Sequence, residues 1–175
     1  MDAKRAETFY FKELERRRDL DAAPTLRIAA LALLGGVFSF YVKVFDLNGG
    51  FWSSMFLVCA AVVIVFASLA VIWIMRLFVG YSWGYMPCPD DLGLYFNTLV
   101  AYHEKYDLQK TADEVFEAHL RDLFIQAASL NMRNNNARSE LLYRASFFLT
   151  IAVLLTLISG IPVLYTLLSR TVLVP

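Results

Sequence analysis

The sequence predicts an all-α integral membrane protein with three transmembrane helices and a helical cytosolic segment between the second and third. Three observations carry that prediction. The chain is 58% hydrophobic and 15% aromatic with mean hydropathy +0.52, above the roughly 45–50% apolar content of soluble domains. Its charges avoid three runs: Ile28 to Phe45 holds only Lys43, Phe51 to Val79 only Arg76, and Ala145 to Leu168 none. A hydrocarbon core of ~30 Å takes ~20 helical residues to cross, so each run is long enough. Finally, the positive residues alternate. Lys4, Arg5, Lys12, Arg16, Arg17, Arg18 and Arg27 precede the first run, and Lys105, Lys110, Arg121, Arg133, Arg138 and Arg144 separate the second from the third. The loop after the first run has none and the C-terminal tail only Arg170. The positive-inside bias places the N-terminus and the central segment in the cytoplasm and the C-terminus outside.

Four segments follow: an N-terminal cytosolic or interfacial helix (1–25), a two-span hairpin (26–79), a cytosolic helical segment (80–144), and a third span with a short external tail (145–175). The opening segment is rich in helix formers, with Phe9, Phe11 and Leu14 as its apolar positions, and is expected to end near Pro24. Its charged and polar residues, and the lack of a small-residue cleavage site after the first run, argue against a signal peptide. Arg16, Arg17 and Arg18 either grip anionic headgroups or a nucleotide phosphate, or anchor the topology. Asn48-Gly49-Gly50 supplies the tight turn between the first two spans. The second run would reach about 43 Å as a helix, so it tilts or projects into the cytosol, with Arg76 snorkelling to the headgroups.

The stretch GYSWGYMPCPDD then breaks the helix with glycine and proline. A short amphipathic helix follows, with Leu92, Tyr95, Phe96, Leu99 and Tyr102 or His103 on one face and Asp90 or Asp91 as N-cap. Thr111 and Glu114 form a capping-box pattern that starts a new helix at Ala112. No glycine or proline recurs before Gly160. One helix of about 72 Å could therefore run from the cytosol into the bilayer, unless Asn134–Asn136 breaks it. Along it Phe116, Leu120, Leu123, Ala127, Leu130, Asn134, Ala137 and Leu141 follow three- and four-residue steps, a coiled-coil-like seam for self-association or gating. Asn131, Asn135 and Arg138 flank it as a polar collar. That collar is read either as a hydrated, exchangeable layer or as a solvated interfacial ring. Ser146 and Thr150, one turn apart on the third span, are candidate pore-facing residues, although such hydroxyls often bond their own backbone.

Chemistry is hard to place in this chain. The two histidines, His103 and His119, lack any zinc-ligand spacing, and no arginine stands four to six residues before either. No nucleophile elbow, P-loop or dinucleotide fingerprint occurs. Cys59 and Cys88 neither pair by spacing nor suggest a metal site. No enzyme, metal or cofactor is expected, and zero net charge suggests no direct binding to nucleic acid.

The charged stretch FKELERRRDLDA before the first span, the Asn48-Gly49-Gly50 hairpin and NMRNNNARSELLYRA entering the last resemble small multi-pass effectors of bacterial anti-phage defence, of the Pycsar membrane-effector and SLATT-like type. The resemblance implies a dormant protein of the bacterial inner (plasma) membrane. Such a protein receives a cytosolic signal, either a nucleotide or a soluble defence partner, then self-associates among the membrane lipids and disrupts the membrane. The expected function is a homo-oligomer that forms or gates a pore. The alternative is a non-conducting anchor or assembly subunit that recruits a soluble partner through its cytosolic helices.

Overall fold

The computed structural model describes residues 2–45, 50–106 and 110–172. These form four α-helices: α1 (Ala3–Val44), α2 (Phe51–Arg76), α3 (Pro89–Tyr106) and α4 (Ala112–Val172). Three of them, α1, α2 and α4, carry segments long and apolar enough to cross a membrane.

Asp2 caps α1, its carboxylate accepting from the Arg5 N–H at 2.8 Å. The helix does not end near Pro24 but runs through it to Val44. Proline removes one ladder hydrogen bond and crowds the preceding turn, at about 3 kcal/mol in a helix interior. Here Pro24 is fully buried, so packing holds the helix on course. Arg27 also donates from Nη1 to the Ala23 carbonyl at 2.7 Å.

Of the expected turn, Asn48 and Gly49 lie outside the described residues. Gly50 starts α2 with φ +98°, a conformation that an L side chain rarely adopts. The second run was expected to stay helical to Val79, but α2 stops at Arg76. Leu77 and Phe78 donate to Ile74 and Met75 in a tighter closing turn, and Gly80 turns the chain at φ +90°. Helix α3 begins one residue before the expected cap. The Cys88 carbonyl accepts from Leu92, and Pro89 stands first in the helix, where its missing N–H costs nothing. Asp90 and Asp91 sit in the first turn, where the helix dipole favours them.

The capping box of α4 forms reciprocally. Thr111 N–H donates to Glu114 Oε2 at 3.1 Å, and Glu114 N–H to Thr111 Oγ1 at 3.2 Å. Thr111→Ala removes one half of it and is expected to cost about 1 kcal/mol, measurable as faster amide exchange over the first turn of α4. From there the helix is unbroken to Val172, passing Asn134–Asn136, Gly160 and Pro162.

The chain divides into two compact units, residues 1–21 with 81–138, and residues 22–80 with 139–175. In the second, the three apolar helices pack through small and aromatic side chains. Leu34, Val63 and Ala152 form one cluster, and Phe45, Phe56 and Val163 another. Phe56 stacks on Phe45 with centroids 4.5 Å apart, and Trp52 on Tyr165 at 5.0 Å. Gly160 gives Tyr41 room: a Cβ there would lie 2.6 Å from the Tyr41 hydroxyl. The outward faces are apolar, with Leu33, Val58, Ile64, Leu157 and Leu164 all exposed. An apolar face of this extent suits lipid better than water.

Candidate functional site

Residues 81–88, in the first unit, have no regular secondary structure, in keeping with Gly84 and Pro87. They form a strap along α4, and asparagine side chains hold it there. Gly84 comes so close to α4 that a Cβ on it would lie 2.7 Å from Ala127 Cα and 3.0 Å from the Ala127 carbonyl oxygen. Asn131 clamps the same glycine by both backbone groups: the Gly84 N–H donates to Oδ1 at 2.9 Å, and Nδ2 donates to the Gly84 carbonyl at 3.0 Å. One turn on, Asn134 Nδ2 donates to the Ser82 carbonyl. A segment without a ladder of its own thus satisfies its backbone on side-chain amides.

The next asparagine turns elsewhere. Asn135 Nδ2 donates to the Glu13 carbonyl at 2.8 Å and to Glu13 Oε2 at 2.9 Å, fastening α1 rather than the strap. Its Oδ1 is buried with no hydrogen-bond partner among the described residues.

Arg138 completes the set from the following turn. It is 2% exposed, and Nη2 donates to Asp21 Oδ1 at 2.6 Å. Its guanidinium carbon lies 5.5 Å from the Trp83 ring centroid and 5.9 Å from that of Tyr81. Arg17, from α1, approaches the same indole at 4.1 Å while donating from Nη1 to the Tyr85 hydroxyl at 2.7 Å. Two cations therefore share one tryptophan, an arrangement attractive to the ring and strengthened by partial desolvation. Below it, Met86 packs on Tyr10, Ala127 and Ala128.

The polar collar is thus neither solvated nor a ring. Asn131 and Asn135 are wholly buried and Arg138 almost so. Their burial is tolerated because the strap and α1 bring partners to them. They also begin a long buried stripe on α4: Asn131, Asn135, Arg138, Leu142, Ala145, Leu149, Ala152, Thr156, Ser159 and Val163. Its steps alternate four and three, the coiled-coil spacing. The expected seam has the same period one residue earlier in this region. Leu130 is 37% exposed, Asn134 and Leu141 are half-buried, and Ala137 is exposed. Nearer the start of α4, Phe116 meets Phe96 at 5.0 Å between centroids, and Leu120 and Leu123 are half-buried.

The remaining candidates disperse. The arginine triplet makes no common anion grip: Arg16 lies 3.8 Å from Glu13, Arg17 is committed to the strap, and Arg18 is exposed. Ser146 accepts from Arg27 Nε at 2.7 Å and donates to the Leu142 carbonyl, whereas exposed Thr150 donates to the Ser146 carbonyl at 2.9 Å. His103 bonds the Leu99 carbonyl through Nδ1, and His119 lies against the Tyr95 ring at 4.6 Å. Among the described residues no three His, Cys, Asp or Glu side chains converge as a metal site would require. The arrangement clasps a peptide segment, residues 81–88, against α4.

Sequence reasoning singled out the collar residues but not Trp83, Gly84 or Asp21 as their partners. The legible signal was a glycine-flanked tryptophan in a proline-rich break. Compared with protein-family models, curated proteins and solved structures, the chain matches none.

Proposed function

We propose that this chain is a multi-pass protein of the bacterial inner membrane, with its N-terminus and strap unit in the cytosol and its C-terminus outside. There it acts as a homo-oligomeric effector that forms or gates a pore on a cytosolic signal, in anti-phage defence. The observation that supports this reading most is the unbroken course of α4. One helix provides the asparagine hooks of the strap unit and the most hydrophobic stretch of the C-terminal half. A nucleotide or soluble partner acting on the strap unit would then act on the same helix that enters the bilayer. Self-association uses a second stripe, the seam beside the buried one, which the single chain leaves partly accessible at Leu130, Ala137 and Leu141.

Induced expression with a membrane-potential dye tests the reading. Growth arrest with depolarisation is the expected result, and a fully polarised, growing culture would overturn it. Ala137→Glu places a charge on an exposed position of the stripe and should abolish both depolarisation and the oligomer seen after gentle detergent extraction. An unchanged oligomer would remove the stripe from the interface.

One observation favours the second reading, a non-conducting anchor that recruits a soluble partner. The hydroxyls of Thr150, Thr156 and Ser159 donate to the helix's own backbone, and Ser146 is also engaged by Arg27. A harmless culture in which the chain still co-purifies a cytosolic protein through residues 81–138 would establish that reading instead.

A further inference from the structure

Trp73, Arg76 and Arg144 come together in the second unit. Trp73 is half-buried in the last turn of α2, and Arg76 ends that helix. Arg144 is the last charged residue before the third apolar run. The guanidinium carbons of Arg76 and Arg144 lie 5.2 and 5.0 Å from the centroid of the Trp73 ring. Two cations from different helices, 68 positions apart in sequence, are therefore within about 10 Å of each other.

Their charges are poorly matched. Arg144 pairs with Glu140 one turn earlier on α4, but both groups are about half exposed, and such pairs hold weakly in water. No carboxylate among the described residues pairs with Arg76. Arg27, the other arginine bordering an apolar run nearby in sequence, is already bonded to Ser146 and to the Ala23 carbonyl. Both arginines are exposed, and among the described residues Glu140 is the one carboxylate paired with either of them. They stand where two apolar runs end, beside an indole of the kind that gathers at membrane interfaces.

We propose that Arg76 and Arg144 bind one phosphate group jointly, that of an anionic phospholipid headgroup, with Trp73 as the apolar wall of the site. This rests on the membrane reading above. Guanidinium donors match phosphate oxygens in pairs, at about 2.8 Å, and a lysine ammonium offers only a point charge. A phosphate between the two arginines relieves their mutual repulsion and joins the end of α2 to the start of the third span.

The test uses the full chain purified into phosphatidylcholine nanodiscs and supplied with phosphatidylglycerol, with bound lipid counted by native mass spectrometry. Wild type should retain phosphatidylglycerol over phosphatidylcholine. Arg76→Gln with Arg144→Gln should lower that retention about tenfold or more, and the paired lysine variant should fall between. Arg133→Gln, which removes an exposed arginine from α4 elsewhere, should leave it unchanged. Millimolar inorganic phosphate separates the sources: displacement of the lipid assigns the site to phosphate in general, and persistence assigns it to the lipid. Equal retention by wild type and the glutamine pair, with helix content by circular dichroism unchanged, would overturn the proposal. A chain that alkaline carbonate strips from membranes would instead overturn the membrane reading beneath it, so the two failures are distinguishable.

Discussion

Gly84→Ala is expected to release residues 81–88 from α4. The new methyl group would meet Ala127 Cα at 2.7 Å and the Ala127 carbonyl oxygen at 3.0 Å. Both are backbone atoms of a helix interior, so neither can rotate aside, and the strap must lift. Lifting it breaks both bonds to Asn131 and leaves a buried amide without partners, for a combined loss of about 2–4 kcal/mol. That corresponds to a roughly thirty- to thousandfold larger open population. Chymotrypsin reads this directly, because Tyr81, Trp83 and Tyr85 are cleavable only when the strap is free, and cleavage follows the open population when reclosing is fast. Gly93→Ala provides the comparison: its Cβ would enter open space on α3. Cleavage of Gly84→Ala at the wild-type rate would show that the close approach to Ala127 is not what seats the strap.

The second large effect concerns Asp21 and Arg138, and its asymmetry is the informative part. Asp21 is about half exposed, whereas Arg138 is 2% exposed. Removing the carboxylate with Asp21→Asn takes the 2.6 Å ion pair away from a buried guanidinium that faces Trp83 and Tyr81. Breaking a fully buried pair costs about 3–5 kcal/mol; with one partner half in water, about 2–3 kcal/mol is expected here. Arg138→Met keeps most of the volume and removes the buried charge, leaving Asp21 half in water and still 3.7 Å from Arg17 Nε. Its cost should be smaller, about 1–2 kcal/mol, mostly the lost cation–ring contact and the lost hydrogen bond. The double variant should therefore cost only slightly more than Arg138→Met alone, by the weak, part-exposed Arg17–Asp21 pair. Thermal unfolding in detergent, followed by circular dichroism over the full cycle, measures all three. An Asp21→Asn protein more stable than Arg138→Met would mean that Asp21 is not what compensates the buried charge.

Much of the architecture was legible in local chemistry. The apolar runs located the three helices long and apolar enough to cross a membrane, Thr111 and Glu114 marked the start of α4, and the glycines and prolines of 80–89 marked the strap. Two features were not legible, for related reasons. Pro24 signals a helix end from its own chemistry, yet α1 continues because the proline is buried against packed neighbours that no local rule contains. On α4, hydropathy assigns the inward face to Leu130 and Leu141, while the structure gives it to Asn131, Asn135 and Arg138. Those residues are buried because their partners arrive from far away in sequence: Gly84 lies 47 positions from Asn131, Glu13 122 from Asn135, and Asp21 117 from Arg138. A hydrophobicity scale values a side chain by its cost without partners, so it misplaces the polar residues whose partners come from tertiary structure.

The indole at position 83 gives the molecule an optical gauge. Two positive groups pressed close to a π-system perturb its excited state electrostatically, so emission from that chromophore changes colour when the clasp opens. The other two tryptophans have different neighbours, one a tyrosine ring and the other the paired arginines near the end of α2. Phenylalanine at both of those positions would leave a single fluorophore whose spectrum follows strap opening in real time, without any external label.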